Sequence, residues 1–491
     1  MLPRPAAAGA ATTATTLTIH PVGRDGRPAR SGFVELIRTD APAEPIGQPL
    51  ANPTTVELTP GTYLLVVEVR GDAERTYLVQ PGVVVHGATK VTADARAGRP
   101  VEVSVPRADA RPELLEVRYR LPVAGGDPYE SSIVVSGDLV GAYFGPVWPD
   151  RPPVDGFEVL TAVTLAAPAA AYLLAWRDAG RMPAGLRRTL TAAHLATVVN
   201  RFHPRGTGTT ALTFATPRLP GPLSGGFARG LPLALPGTRR DHYNVDSGGV
   251  AWQTRFDEHD ADNVLVSVLL DEYTERRAAR TTTATWNRAV AGPVLATPEL
   301  PEHWVTRRGD MLLQAARLHG DGAGHSGQST YREARTTLHR DGVPLAEVDA
   351  EWGMFELPPE PATYRLRVVA LPVAYDTRVD VVWTFRSAHV PGDAFRPVPL
   401  RAVTFDPALR PDGTAPAGRA FRLPYTMTTQ AARPVRPRVE VSHDDGGTWW
   451  PAAVTASDVV VVHPAGAGWV SLRATAEGMR QTILRAYPVR P

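Results

Sequence analysis

One short segment of the chain combines a serine, a histidine and several glycines, the residue types from which a hydrolase builds its nucleophile. In the run Gly324–Gln328, which reads Gly-His-Ser-Gly-Gln, Ser326 would attack and His325 would remove its proton. Ser329 and His339 follow closely and offer a second nucleophile and a second base. These residues define one hypothesis, an unrecognised serine hydrolase.

The sequence around this run disfavours that hypothesis. A nucleophile elbow has the pattern Gly-x-Ser-x-Gly and lies between a strand and a helix, whereas Gln328 replaces the last glycine. Downstream, Thr336–Leu338 followed by Asp341 and Gly342 predicts a strand that enters a β-hairpin. We therefore interpret the segment as a glycine-rich surface loop leading into a hairpin.

A run of acidic residues is the second place where chemistry is conceivable. Ca²⁺ binds where several carboxylate oxygens converge, so Asp257, Asp260 and Asp262 are candidate ligands. Side chains alternate along a strand, however, so Asp257 would point away from the other two, and no glycine bends the chain around an ion. A solvated turn without a cofactor is the favoured interpretation, and Ca²⁺ binding is the alternative.

Four aromatic residues are candidates for ligand binding, namely Tyr243, Trp304, Trp352 and Trp450. An exposed aromatic ring presents a flat face on which a sugar ring can stack, whereas a buried one packs in a core. The exposed interpretation supports a second hypothesis, an independent cell-surface or carbohydrate-binding module.

A third motif indicates a structural turn and no catalytic site. Ser442, Asp444, Gly446, Thr448 and Trp449 fit the Asp-box pattern Ser-x-Asp-x-Gly-x-Thr-Trp. The carboxylate is expected to accept backbone amides, the glycine to permit a positive φ, and the tryptophan to anchor the hairpin in the core. We assign the motif to a structural turn.

The composition excludes several classes of function. The 491 residues contain no cysteine, which excludes disulfides, thiolate nucleophiles and cysteine-based metal sites. Of the 52 lysine and arginine residues only Lys90 is lysine, and the net charge is only +2. Because no arginine cluster is interleaved with aromatic residues, no nucleic-acid partner is expected.

The two segments that could address a membrane do not have the required pattern. The longest apolar run, Leu165–Trp176, is shorter than the roughly 20 residues of a membrane-spanning helix and contains Pro168. Residues 1–16 are rich in alanine, threonine and proline and lack the hydrophobic core of a signal peptide. We therefore expect no membrane insertion, no signal peptide in this chain and a flexible N-terminal segment.

The strand and turn patterns predict an all-β protein, a tandem array of antiparallel β-sandwiches. The 48 prolines and 43 glycines imply many turns, and strands such as Leu115–Leu121 alternate apolar and charged residues with period two. The turn before Tyr63 resembles that of prealbumin-like domains, and the last unit is expected to be immunoglobulin-like or fibronectin III-like. The predicted sandwiches span residues 17–108, 109–298, 299–392 and 393–491, with a joint at 296–301, a Gly/Pro-rich surface excursion at 204–238, and a helix or strand at 191–196.

Several stretches together carry a family resemblance. The run from Gly320 to Tyr331, followed by a strand and Arg340-Asp341-Gly342, resembles the long C-terminal region of large secreted bacterial subtilisin-like serine peptidases. Further stretches resemble the same region in the same order: Asp260–Asp262, Thr285–Val290 with Gly292-Pro293, Trp383–Ser387, Val439–Trp449, His463-Pro464 with Val470–Ala474, and Gln481-Thr482 with Arg485–Tyr487. Between Ala476 and Gln481 the turn is shorter than in that family.

The resemblance implies a non-catalytic, extracellular accessory region. The family's catalytic motifs are absent: the nearest fragments are His86–Thr89 and Asp412–Thr414, and no Gly-Thr-Ser-Met-Ala run occurs. The resemblance therefore implies a protein whose partner is a subtilisin-like catalytic domain, another protein or a cell-wall ligand, and no catalytic residue is carried over.

Overall fold

The computed structural model describes residues 15–220, 226–295, 304–410 and 412–491. Within these ranges the chain consists of β-strands and two 3₁₀ turns, Ala95–Ala97 and Ala192–His194, with no α-helix. The described part also contains no helix with the length and apolarity that a bilayer crossing needs. The predicted all-β fold is confirmed, while the predicted joint at 296–301 and residues 1–14 lie outside the described residues.

The described residues of the N-terminal half contain 22 strands. Their bounds are β1 Thr15–Val22, β2 Gly32–Arg38, β3 Ile46–Pro49, β4 Thr54–Leu58, β5 Gly61–Arg70, β6 Arg75–Val85, β7 Thr89–Asp94, β8 Arg99–Ser104, β9 Arg111–Leu121, β10 Tyr129–Ser136, β11 Ala142–Gly145, β12 Glu158–Ala167, β13 Ala170–Ala179, β14 Leu186–Thr189, β15 Leu195–Phe202, β16 Thr210–Arg218, β17 Leu231–Ala234, β18 Gly237–Asn244, β19 Ala251–His259, β20 Leu265–Leu270, β21 Thr274–Glu275 and β22 Thr281–Trp286.

The C-terminal half contains a further 18 strands in its described residues. Their bounds are β23 Val305–Arg308, β24 Met311–Gln314, β25 Ser326–Ser329, β26 Tyr331–Arg340, β27 Val343–Val348, β28 Gly353–Glu356, β29 Ala362–Pro372, β30 Arg378–Ser387, β31 Arg396–Pro397, β32 Leu400–Phe405, β33 Ala415–Pro416, β34 Ala420–Gln430, β35 Arg438–Ser442, β36 Trp450–Pro451, β37 Ala453–Val454, β38 Asp458–Val462, β39 Gly468–Ala476 and β40 Met479–Arg490.

Four sheets stack in the N-terminal half. Their strand orders are β4-β1-β7 for sheet 1, β14-β8-β11-β6-β5-β2-β3 for sheet 2, β10-β9-β12-β13-β18-β15-β22 for sheet 3, and β17-β16-β19-β20-β25 with β21 on β19 for sheet 4. Separate apolar cores lie between sheets 1 and 2, between sheets 2 and 3, and between sheets 3 and 4. Sheets 2 and 3 are therefore covered on both faces.

This stacking overturns one expectation about β9. The alternation of Leu115–Leu121 predicted a half-buried strand, yet Glu116 is 0% and Arg118 only 8% exposed. The polar face of β9 is turned toward sheet 4, and Glu116 accepts hydrogen bonds there from Arg118 Nε, Ser132 Oγ and the Phe227 amide. A period-two pattern describes one apolar face and cannot show that the other face is covered by hydrogen-bonded partners.

The sheets do not follow the predicted sandwich spans. Strands β11 and β14 lie inside the predicted span 109–298 but pair with β6 and β8 of sheet 2. The predicted surface excursion at 204–238 is wrong, because it contains β16 and β17 of sheet 4. At 191–196 a 3₁₀ turn leads into strand β15.

The C-terminal half surrounds one continuous core. Sheet 6, β27-β26-β29-β30-β40-β39-β35-β36 with β33 on β40, packs with sheet 5, β28-β24-β23-β31, and sheet 7, β32-β34-β38-β37. Strand β30 pairs with β40 from Arg378↔Leu484 to Trp383↔Met479, which joins the predicted third and fourth sandwiches. The predicted apolar face of β30 is confirmed, since Val379, Val381 and Trp383 are fully buried.

Replacing Trp383 tests whether this core is one cooperative unit. Trp383 is 0% exposed and donates its indole N–H to the Arg401 carbonyl at 2.7 Å. We expect Trp383→Ala to lower the free energy of unfolding by about 3–5 kcal/mol, measured by urea denaturation. The control Trp450→Ala removes an indole that is 53% exposed and should change the value by less than about 0.5 kcal/mol. Loss of sheet 5 and sheet 7 structure in two separate transitions would contradict a single core.

Candidate functional site

The hairpin predicted after the glycine-rich segment is confirmed, but the prediction that the segment is a surface loop is wrong, because most of it is buried and part of it forms strand β25. Strand β25 pairs antiparallel with β20, so that a strand of the C-terminal half completes sheet 4 of the N-terminal half. Strands β26 and β27 form the hairpin, in which Asp341 has a φ of 48° and Gly342 a φ of 86°. No helix follows Ser326, and the strand-turn-helix geometry of a nucleophile elbow is absent from this described segment.

His325 is held between two partners at this junction. Its Nδ1 lies 2.8 Å from Asp321 Oδ2, and its ring stacks on Trp286 with a centroid distance of 3.8 Å and an interplanar angle of 4°. Burial acts in the opposite direction, but the Asp321 carboxylate raises the pKa of His325, and His325 lowers the pKa of Asp321. The imidazole therefore links the two halves through its hydrogen bond to Asp321 and its stacking on Trp286.

The candidate serines are bonded elsewhere. Ser329 Oγ lies 2.7 Å from the Tyr375 hydroxyl, and Ser326 is the strand residue that pairs with Leu270. His339 lies on β26, and its Nδ1 is buried without a hydrogen-bond partner. Within the described ranges, no hydrogen bond joins a serine hydroxyl to His325 or His339, so the residues of the hydrolase hypothesis are not brought together.

A buried carboxylate forms the centre of the junction. Glu258 is 0% exposed. It accepts five hydrogen bonds, from the Arg205 amide at 2.9 Å, the Gly206 amide at 3.2 Å, Thr209 Oγ1 at 2.8 Å, Ser267 Oγ at 3.2 Å and Asn287 Nδ2 at 2.7 Å. The backbone amide of Asn287 donates to Asp321 Oδ2 at 2.8 Å. Asn287 therefore connects Glu258 to the pair formed by Asp321 and His325.

Arg205 spans the junction from the other side. Its guanidinium donates to the carbonyls of His319 at 3.0 Å and Gly320 at 2.9 Å and to the Tyr375 hydroxyl at 3.0 Å. His319 is fully buried, and burial lowers its pKa to about 3, so it is neutral here. Sequence reasoning did not single out Arg205, Glu258 or Tyr375 as a group, because they lie far apart in the chain. The one sequence signal that connected the two sides of the junction was the family resemblance, which includes both Thr285–Val290 and the segment that begins at Gly320.

The acidic run is divided between different environments. The predicted solvated turn is correct for Asp260, whose carboxylate accepts the amides of Asp262 and Val264. It is wrong for Asp257 and Glu258, which are buried on the central strand β19. Asp257 pairs with Arg255 through two hydrogen bonds of 2.6 Å. Among the residues that the structure describes, no group of three or more His, Asp or Glu side chains is placed to hold a metal ion.

The Asp-box turn has the predicted hydrogen bonds. Asp444 accepts the Thr448 amide at 2.8 Å, the Thr448 hydroxyl at 2.6 Å and the Ser442 hydroxyl at 2.7 Å. Gly446 has a φ of 90° and donates its amide to Ser442 Oγ. These bonds, the Thr448 hydroxyl first, lower the pKa of Asp444 to about 2.

The role expected for Trp449 requires correction. It is half-buried on the surface rather than inserted in the core. Its indole N–H donates to the Gly446 carbonyl at 3.0 Å, and the Arg473 guanidinium lies 3.9 Å from its ring centroid. The Trp449 indole therefore stabilises the turn from the protein surface, through its hydrogen bond to Gly446 and a cation–π contact with Arg473.

The four candidate aromatic residues differ in accessibility. Tyr243 is only 2% exposed and packs against Trp252, so the prediction that it is exposed is wrong. Trp304 is half-buried, whereas Trp352 is 62% and Trp450 53% exposed. Trp450 lies at the edge of sheet 6, opposite Val441.

Trp352 borders a cleft of about 590 Å³. The cleft is lined by Gln328, Ser329, Tyr331, Arg332, Glu333, Ala334, Asp349, Ala350, Glu351 and Trp352. Glu351 is bonded to the Tyr331 hydroxyl and accepts the Leu318 amide at 2.6 Å. Burial raises the pKa of Glu351 to about 7. This cleft combines an exposed indole with the exposed polar side chains of Gln328 and Asp349, features of a binding site.

Comparison with known proteins gives no family. The sequence matches no protein-family model and no curated protein. The Bacillus anthracis TIE protein aligns at 7% identity and a TM-score of 0.13 over 56% of this chain and 50% of its own, so this chain spans half of that protein's length. The N-terminal four Ig domains of Dscam1 isoform 8.4 align at 11% identity and 0.13 over 80% of this chain and 97% of theirs. Native E. coli alpha-2-macroglobulin aligns at 9% identity and 0.12 over 99% of this chain and 47% of its own. At these TM-scores the likenesses support no statement about function.

The Asp-box turn yields a pH prediction. Because the pKa of Asp444 is lowered from 3.8 to about 2, its contribution to stability is present above pH 3.8 and is lost as the pH falls through about 2. We expect Thr448→Val to raise the pKa of Asp444 toward 3.8, as measured by NMR titration of the carboxyl carbon. Thr448→Ser keeps the hydroxyl and should leave the pKa near 2. An unchanged pKa in Thr448→Val would show that the hydroxyl is not its main cause.

Proposed function

We propose that this chain is a non-catalytic array of β-domains that serves as an extracellular binding or stabilising part of a subtilisin-like serine peptidase system. The catalytic domain would lie on another segment or chain. The proposal is supported by the ordered sequence resemblance and by the absence of the family's catalytic motifs from the sequence. In this proposal the chain acts by presenting binding surfaces and by stabilising its partner, because a fold by itself does not define a catalytic activity.

One observation carries the proposal. The histidine closest to a candidate nucleophile is used to join the two halves, with Asp321 at Nδ1 and Trp286 against its ring face. In a serine hydrolase the imidazole must receive the proton of the attacking hydroxyl, with the acid holding the other nitrogen. Here the acid and the imidazole are present, and the described structure hydrogen-bonds no serine hydroxyl to that imidazole.

Labelling with a fluorophosphonate tests the absence of catalysis. An activated serine reacts covalently with this probe because an adjacent base removes its proton. We expect the intact chain to show only background labelling, equal to that of Ser326→Ala and Ser329→Ala. An active subtilisin-like peptidase is the positive control. Labelling that disappears in either serine variant would refute the proposed non-catalytic role.

The relation to a peptidase is tested in the genome. We expect the DNA on the 5′ side of this coding sequence, in frame or in the adjacent gene, to encode the Asp-Ser/Thr-Gly, His-Gly-Thr and Gly-Thr-Ser-Met-Ala motifs of a subtilisin-like catalytic domain. The control is the neighbourhood of an unrelated β-sandwich gene in the same genome. A neighbouring region without any of the three motifs would count against the peptidase association and leave the non-catalytic β-array in place.

A second candidate function, an independent carbohydrate-binding module, is favoured by the exposed indole of Trp352 beside its cleft. An exposed tryptophan next to hydrogen-bonding side chains provides both a stacking face and polar contacts. The two candidates are compatible, because an accessory array can itself bind a polysaccharide.

A further inference from the structure

Sheet 5 lies next to two of the three tryptophans that were predicted to bind a ligand, Trp304 and Trp352. Its inner face contributes Val305, Leu312 and Phe355 to the core. Successive residues of a strand point to opposite faces, so Leu313 and Met354, which pair with each other, lie on the outer face. Met354 is 62% exposed, so this face is open to solvent at β28.

Two of the candidate tryptophans flank sheet 5. Trp304 directly precedes β23, and its carbonyl accepts the Ala315 amide at 3.0 Å. Trp352 directly precedes β28, whose pairing with β24 ends at Gln314↔Gly353. Of the two, Trp352 is the more exposed, and it is the one that borders the cleft.

Polar groups line the cleft beside Trp352. Gln328 and Asp349 line the 590 Å³ cleft with exposed side chains. Arg332 and Glu333 line it too, and their ion pairs with Asp376 at 3.3 Å and Arg378 at 2.6 Å are exposed to solvent. Exposed ion pairs contribute little stability, so these planar groups can exchange their partners for a ligand. The volume lies within the range of small-ligand sites, about 300–1,000 Å³.

We propose that the Trp352 cleft binds a polysaccharide chain. A pyranose ring has apolar C–H faces and a perimeter of hydroxyl groups, so it requires an aromatic plane beside planar donors and acceptors. Trp352 is the exposed aromatic plane, and Gln328, Arg332 and Asp349 provide the polar edge. The inference deepens the binding role proposed above, but it does not depend on the peptidase association.

Retention on insoluble polysaccharides tests this site in the intact chain. The probes are microcrystalline cellulose, chitin and purified bacterial peptidoglycan. We expect retention on at least one of them and a loss of affinity of about tenfold or more in Trp352→Ala, the size expected for truncating an aromatic anchor. Gln328→Ala, on the polar edge, should weaken retention several-fold.

Trp450→Ala is the matched control, because it also removes an exposed indole but lies on sheet 6. It should bind like the unchanged chain, and thermal unfolding should show that all three variants are folded. Three results would overturn the proposal: no retention on any of the three probes, equal losses in Trp352→Ala and Trp450→Ala, or self-association in sedimentation that Trp352→Ala abolishes. The last would make the face an interface between copies. None of these results changes the outcome of fluorophosphonate labelling, so failure of this site and failure of the proposed function are distinguishable.

Discussion

The buried carboxylate of Glu258 is the constraint on which the junction depends. A carboxylate removed from water is strongly destabilising unless its oxygens are hydrogen-bonded, and Glu258 is 0% exposed. Five donors satisfy it, two of which are backbone amides of the loop after β15. That loop must therefore adopt one conformation, and its Arg205 guanidinium is then directed at the carbonyls of His319 and Gly320. The Glu258 side chain on β19 in this way positions the first residues of the glycine-rich segment.

The glycines of that segment have a packing role that a sequence motif does not reveal. A Cβ on Gly322 would lie 2.8 Å from the Phe405 carbonyl oxygen and 2.9 Å from that of Ala289. A Cβ on Gly327 would lie 2.4 Å from a Leu269 side-chain carbon. Because backbones of both halves approach this closely, only glycine fits, and the composition that resembles a nucleophile loop results from a tight junction. The stacking of His325 on Trp286 then covers the contact on one side.

The sequence predicts the positions of individual strands better than it predicts which strands pair and which sheet covers each face. The faces of β30 and the Asp-box turn follow from local patterns, periodicity in one case and short-range hydrogen bonds in the other, and both are confirmed. The burial of Glu116 and Glu258 could not be predicted, since it depends on which sheet covers the polar face of a strand. Likewise, the cleft beside Trp352 could not be predicted, because its lining residues come from β25, β26 and the segment before β28. Long-range pairing is what single-sequence patterns leave open.

A buried carboxyl group directly precedes the exposed indole beside the cleft. Glu351 and Trp352 lie just before β28. Glu351 is buried and fixed by hydrogen bonds from the Leu318 amide and the Tyr331 hydroxyl, whereas the neighbouring Trp352 is 62% exposed. Because burial raises the pKa of Glu351 from 4.5 to about 7, the folded state binds the additional proton between these values. The stabilising effect of that proton is fully present below pH 4.5 and is lost as the pH rises to 7. Protonation of Glu351 therefore stabilises the folded state most strongly below pH 4.5 and contributes progressively less between pH 4.5 and about 7.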